Sequence, residues 1–115
     1  KRFVELVVNG RPVARRAIEA DGKLHDVDFE VPVERSSWIA LRQFPQLHTN
    51  PVSVIVADRP VRASRDSARW CREMVKRGWA SHNGQISAAE RPAARKTYDE
   101  VIALYERIIA ESPAE

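Results

Sequence analysis

A single cysteine, Cys71, leaves no pair for an intrachain disulfide, so disulfide pairing gives no clue to the redox compartment. The four glycines fall in separate turns, and no glycine-rich loop is present that could cradle a phosphate. His25, His48 and His82 are isolated from one another, and neither an HxH nor an HExxH spacing occurs. No metal or other cofactor is therefore expected in this chain. No apolar run approaches the roughly 20 residues that cross a bilayer, and "KRFVELVVNG" has no small-residue cleavage site. An initiating methionine is also missing, Met74 being the only one, which reads as a piece of a longer protein.

What is there describes a chain that folds. It has 115 residues, 43% hydrophobic and 30% charged, with a net charge of +3, and this supports one core of ordinary size. "FVELVVN" is a β-rich run that ends at Asn9-Gly10, a dipeptide suited to a tight hairpin. "RPVARRAIEA" resumes as a second strand, with Val13 and Ile18 out of phase, so a bulge or bend is expected. After the Asp21-Gly22 turn, Val27, Phe29 and Val31 alternate with polar residues and predict a third strand, closed by Pro32. "SSWIALRQF" predicts a strand covered on both faces, with Trp38 in the core. A further strand is expected over 52–57, and a short edge strand over 61–63. Strands of this length and spacing suggest a small antiparallel, immunoglobulin-like β-sandwich, or a sheet with Greek-key connections, over residues 1–63.

The period changes at Ser64, which can cap a helix whose apolar face carries Ala68, Cys71, Val75 and Trp79. That helix is expected to stop near Gly78, with Cys71 a buried, inert thiol. Ser87 and Glu90 stand at the spacing of a capping box, although Pro92 delays the regular helix beyond Ser87. Ala94, Tyr98, Val101, Ile102, Tyr105, Ile108 and Ile109 then share one face. Residues 64–115 are thus expected as a two-helix hairpin packed on the strands, the whole making one domain of mainly β structure with C-terminal helices.

Two groups of residues invite a functional reading. Arg42, His48, Thr49 and Asn50 cluster around a corner, where a histidine near an arginine could polarise a carbonyl or bind an anion. The alternative is structural: Thr49, Asn50 and His48 can bond backbone groups that a turn before Pro51 leaves unpaired. Arg65, Arg69, Arg72 and Lys76, at i, i+4, i+7 and i+11, form a basic helical stripe that could meet an anion or an acidic partner. Against that, Asp66, Glu73 and acidic residues of the last helix can pair with the same stripe at the surface. Aromatic residues are not interleaved with this stripe apart from Trp70, so no nucleic-acid partner is expected, and no membrane partner either. Ser36 and Ser37 lie in no nucleophile elbow, and no carboxylate pair stands out as acid and base. The chain by itself is not expected to be an enzyme.

"VELVVNGRPV", "SSWIALR", "HTNPVSVIV" and "RASRDSARWC", followed by "ERPAARKTYDEVIALYERIIAES", resemble the C-terminal region of bacterial CehA/McbA-type metallohydrolases, which carry a PHP-like catalytic domain. The resemblance runs from about residue 3 to residue 111. In that family the metal ligands belong to the upstream domain, so none is carried onto this chain. The resemblance implies a non-catalytic accessory module, partnered by the hydrolase domain of the same chain and open to homo-oligomer formation, with a periplasmic or extracellular home. The alternative from a different class is a free-standing carbohydrate- or anion-binding module, which would use the basic stripe or an exposed Trp38.

Overall fold

Asn9 and Gly10 both adopt positive φ, 51° and 88°, as a two-residue hairpin turn with the right twist demands. The turn joins β1 (Arg2–Val8) to β2 (Arg11–Ile18) in the computed structural model of the chain, which describes residues 1–114. The register slips between Leu6 and Val7, where Val7 faces Pro12 while Leu6 faces Ala14; Val13 is the extra residue of the expected bulge. The proline thus stands on an edge strand, where its missing N–H costs no ladder bond.

Three further strands, β3 (Ser37–Gln43), β4 (Leu47–His48) and β5 (Val52–Val54), complete a five-stranded antiparallel sheet among the described residues. Its order is β2-β1-β3, with β4 and β5 both on the outer side of β3. Asn9 ties the hairpin turn to β3. Its side-chain carbonyl accepts the Trp38 N–H at 3.0 Å, its own N–H donates to the Trp38 carbonyl at 3.0 Å, and its amide donates to Ser37 Oγ at 3.2 Å. Ser37 and Ser36, both buried, are occupied in this way: the Ser36 hydroxyl donates to the Arg59 carbonyl at 2.5 Å and accepts the Val56 N–H at 2.8 Å. They fasten loops to β3 and offer no free hydroxyl.

The strand expected around Val27, Phe29 and Val31 does not form: residues 24–34 carry no strand and no backbone hydrogen bond. The reason is topological. β2 and β3 lie on opposite sides of β1, so the connection must cross two strand spacings, roughly 10 Å. It must also climb from the Arg2 end of β1, where Ile18 pairs, to the Val8 end, where Ile39 pairs. A chain crossing a sheet cannot run beside one of its strands. The alternation is nevertheless real, because Val27, Phe29, Val31 and Val33 are half-buried while Asp26, Asp28, Glu30 and Glu34 are exposed. Arg16 stacks on Phe29 at 5.5 Å, which places the run on the side of the sheet that also carries Val4 and Leu6.

Two other strand expectations are shortened or lost. β5 stops at Val54, because Val56 bonds Ser36 instead of a strand and Ala57 and Asp58 turn the chain with φ of 51° and 54°. Residues 61–63 pair with nothing in the sheet. β3 is half-buried for most of its length, not covered on both faces. Trp38 is half-buried too, its ring lying near Gly10.

The chain divides into two compact units, Lys1–Ala63 and the residues from Ser64 onward. In the second, Ser64 caps α1 (Arg65–His82), its hydroxyl accepting the Ser67 N–H at 3.0 Å. α1 passes Gly78, where it was expected to end, and finishes at His82; the Asn83 N–H and side-chain amide both donate to the Trp79 carbonyl. Gly78 is no stop because its backbone is helical and Tyr98 of the second helix packs beside it. A 3-10 turn, Asn83–Gln85, leads to α2 (Arg91–Glu111), which carries Pro92 in its first turn. Half of the expected capping box forms: the Ser87 hydroxyl accepts the Glu90 N–H at 3.3 Å, while the Glu90 carboxylate accepts the Ser87 hydroxyl at 2.8 Å instead of a backbone N–H.

The two helices pack as an antiparallel hairpin. Toward the connecting turn the rings of Trp79 and Tyr98 lie 5.2 Å apart, and at the open end the Arg65 guanidinium donates to the Ser112 carbonyl at 2.7 and 3.2 Å. Every one of the seven α2 residues expected on the apolar face is half-buried.

A cation at a helix C-terminus satisfies orphan carbonyls and complements the dipole. Only Leu6, Val7 and Ala68 are buried apolar residues among those described, so much apolar surface is half-open. No described helix is long and apolar enough to cross a membrane.

Two stability measurements check these assignments. Gly78→Ala, whose new methyl would meet Tyr98 at an ordinary 3.7 Å, should raise stability by about 0.5–1 kcal/mol in urea denaturation. Trp38→Ala should lower it by about 2 kcal/mol, short of the roughly 3–5 lost by a fully buried aromatic.

Candidate functional site

The corner around Arg42 is built by an interrupted edge strand. β4 and β5 pair with the two halves of β3, Arg42 with His48 and Ile39 with Val52, and the gap between them is Thr49-Asn50-Pro51. Pro51 has no N–H to give, so the Thr49 side chain fills the gap. Its hydroxyl accepts the Leu41 N–H at 3.0 Å while its backbone N–H donates to the Leu41 carbonyl at 2.9 Å. His48 Nδ1 lies 2.9 Å from the Thr49 carbonyl and donates to it, leaving Nε2 toward solvent. Asn50 is exposed. Of the four corner residues, His48 and Thr49 are thus engaged by local backbone.

Arg42 points elsewhere. Its Nε donates to Glu5 Oε2 at 2.6 Å, and its guanidinium lies over the Phe44 ring at 5.3 Å. Strand register extends this contact into a row across four strands: Arg15 on β2 faces Glu5 on β1, Glu5 faces Arg42 on β3, and Arg42 faces His48 on β4. The Arg15 guanidinium lies over the Phe3 ring at 4.9 Å and has no carboxylate partner among the described residues. At the β1 start of this face a concavity of about 280 Å³ is lined by Lys1, Arg2, Phe3, Glu5, Arg15 and Phe44, among others. Sequence reading picked out Arg42 and His48 but not Glu5, Arg15, Phe3 or Phe44. The missing signal was register, since Glu5 meets Arg15 only because the bulge at Val13 shifts the pairing by one.

The stripe Arg65, Arg69, Arg72 and Lys76 is largely engaged within its own unit. Arg65 holds the Ser112 carbonyl, Arg69 pairs with Asp66 at 3.0 Å, and Arg72 lies 3.1 Å from Glu73 and 4.0 Å from Glu106. Lys76 bonds Glu73 at 3.4 Å and, with Arg72, holds the Glu73 carboxyl below the usual carboxylate range. The folded value is the lower one, so this contribution to stability is present above the ordinary pKa and lost as the pH falls through the lowered value. Asp21 is lowered likewise, first by the His25 ring at 2.7 Å and then by the Lys23 N–H.

Cys71 is half-buried and not sealed in a core as expected. It lines an apolar groove of about 470 Å³ on the hairpin together with Trp70, Met74, Gly78, Tyr98 and Tyr105. Trp70 is 65% exposed there. No group of three or more His, Cys, Asp or Glu residues is placed to hold a metal among the described residues.

No family model, no curated protein and no solved structure matches the chain.

The Glu5–Arg42 pair is about one-third and one-quarter open on its arginine and glutamate sides (33% and 25%). Water screens it accordingly, and a double-mutant cycle with Glu5→Gln and Arg42→Gln should give a coupling of about 1 kcal/mol or less.

Proposed function

We propose that the chain is a non-catalytic accessory module that docks on a PHP-like metal-dependent hydrolase domain of the same protein. The observation that carries this reading is the half-open apolar surface of both units. Phe3, Phe44, Leu47 and Val52 on the first, and Trp70, Met74 and Leu104 on the second, are more than 40% exposed. Scattered exposed apolar residues are ordinary, but here they accompany only three buried apolar residues. A docking domain would supply the missing cover. The polar residues fit the same reading, since the side chains of Ser36, Ser37, His48 and Thr49 all bond backbone groups of this unit. The immunoglobulin-like sandwich expected from the strand spacing belongs to this proposal too, with the 24–34 crossing run as the start of a second layer over the sheet. So does the family assignment, which rests on the quoted segments alone, and with it an exported location.

A second reading, a free-standing carbohydrate- or anion-binding module, is favoured by one observation. Trp70 presents an open ring beside the groove, whereas Trp38 and Trp79 are half-buried, the latter between Tyr98 and Arg95.

The two readings separate on the protein encoded by the complete gene. Hydrolysis of simple esters and amides, metal content and thermal midpoint are measured with and without residues 1–115. Under the accessory reading, removal lowers the thermal midpoint, or lowers the turnover by at least about tenfold, about 1.4 kcal/mol in barrier terms, and metal stays with the remainder. Unchanged turnover and midpoint after removal, or metal and turnover in the isolated chain, overturn it.

A further inference from the structure

We infer that the sheet face crossed by the Arg15–Glu5–Arg42–His48 row is a recognition surface for an extended, carboxylate-rich segment of a protein partner. The charge count is the first ground. Two guanidinium groups flank one carboxylate along the row, and that carboxylate is already engaged by Arg42 at 2.6 Å. One guanidinium is left over. The Arg15 guanidinium lies over the Phe3 ring at 4.9 Å with no carboxylate of its own among the described residues, while every cation of the α1 stripe has an acceptor.

Preorganisation is the second ground. A guanidinium stacked on a ring keeps its planar fork of donors in a fixed orientation, which lowers the entropy lost when it grips a carboxylate. Arg15 and Arg42 are both held this way, on Phe3 and Phe44. They belong to strands two spacings apart, roughly 10 Å, and carboxylates on alternate residues of an extended chain recur about every 7 Å. The long arginine side chains can close that difference. Arg2 adds positive charge at the 280 Å³ concavity beside Arg15, where Lys1 pairs with Glu19 at 3.8 Å, and the open apolar rings of Phe3 and Phe44 suit the methylene groups of the acidic side chains.

The same geometry argues against a polynucleotide. Glu5 stands in the middle of the row and would oppose a continuous phosphate backbone, and a guanidinium already covers one face of each phenylalanine ring. The inference stands apart from the hydrolase reading, because an accessory domain or a free-standing one could carry such a face.

The test is fluorescence anisotropy of the intact chain with three labelled probes: an alternating Glu-Val octapeptide, its Gln-Val counterpart, and a short oligothymidylate. The acidic peptide should bind at least about tenfold more tightly than the neutral one, and severalfold more weakly as salt rises from about 20 to about 200 mM. Arg15→Gln should weaken it about fivefold, and Arg15→Lys, which keeps the charge and loses the fork, by less. Arg69→Gln on the helical stripe should change nothing, and circular dichroism melts should show all variants folded. The inference is overturned if the acidic peptide fails to bind, if Arg15→Gln is silent while folded, or if Arg69→Gln weakens binding equally. A tighter oligothymidylate complex also overturns it. Should Arg15→Gln fail to fold, Arg15→Lys decides alone, and an affinity equal to the parent's counts against the inference.

Discussion

The position of β1 between β2 and β3 is the constraint from which most of the first unit follows. A two-residue turn forces β2 onto one side of β1, and the other side is then open only to a strand that arrives later in the chain. The link between β2 and β3 must pass over the sheet, and its apolar residues half-bury on one side while its acids stay wet. The Asn9 side chain locks the arrangement, since the residue that makes the turn also binds the start of β3. One asparagine therefore joins a local decision, the hairpin, to a non-local one, the strand that completes the sheet.

The second unit depends less on topology and more on its ends. Arg65 and Ser112 close the open end of the hairpin, Asn83 and the 3-10 turn close the other, and the Trp79–Tyr98 contact lies between. Helix propensity alone stabilises isolated helices of 18 and 21 residues only marginally. The shared half-buried face and these end contacts account for the pair as a unit. Fixed ends and a half-open middle leave the groove near Cys71 and Trp70 as the accessible part of that face.

Local chemistry was legible in the sequence, and geometry set by distant pairing was not. The Asn9-Gly10 turn, the bulge near Val13, the Ser64 cap and the seven-residue face of α2 all rest on short-range patterns. The run at 24–34 misled because period-2 alternation reports an extended chain with one dry side, and says nothing about whether a neighbouring strand exists. Gly78 misled in the opposite sense: a helix breaker by propensity was overruled by the packing of Tyr98. At the corner, Arg42, His48, Thr49 and Asn50 were visible as a cluster of types. The partners of Arg42 were not, because Glu5 is 37 residues away and its alignment depends on a pairing between β1 and β3 that leaves no local mark.

The interruption of the outer strand at Thr49-Asn50-Pro51 has a consequence for how this sheet meets other molecules. An exposed strand edge is a template for another chain, and proteins blunt such edges with prolines, bulges and charge. Here one edge is broken into pieces of two and three residues, and the other carries Pro12, a bulge and three arginines. Neither rim can zip up a foreign strand over any useful length. Association is thereby steered from the rims to the broad surfaces, where side chains select the partner and backbone pairing, which accepts almost any sequence, has no say.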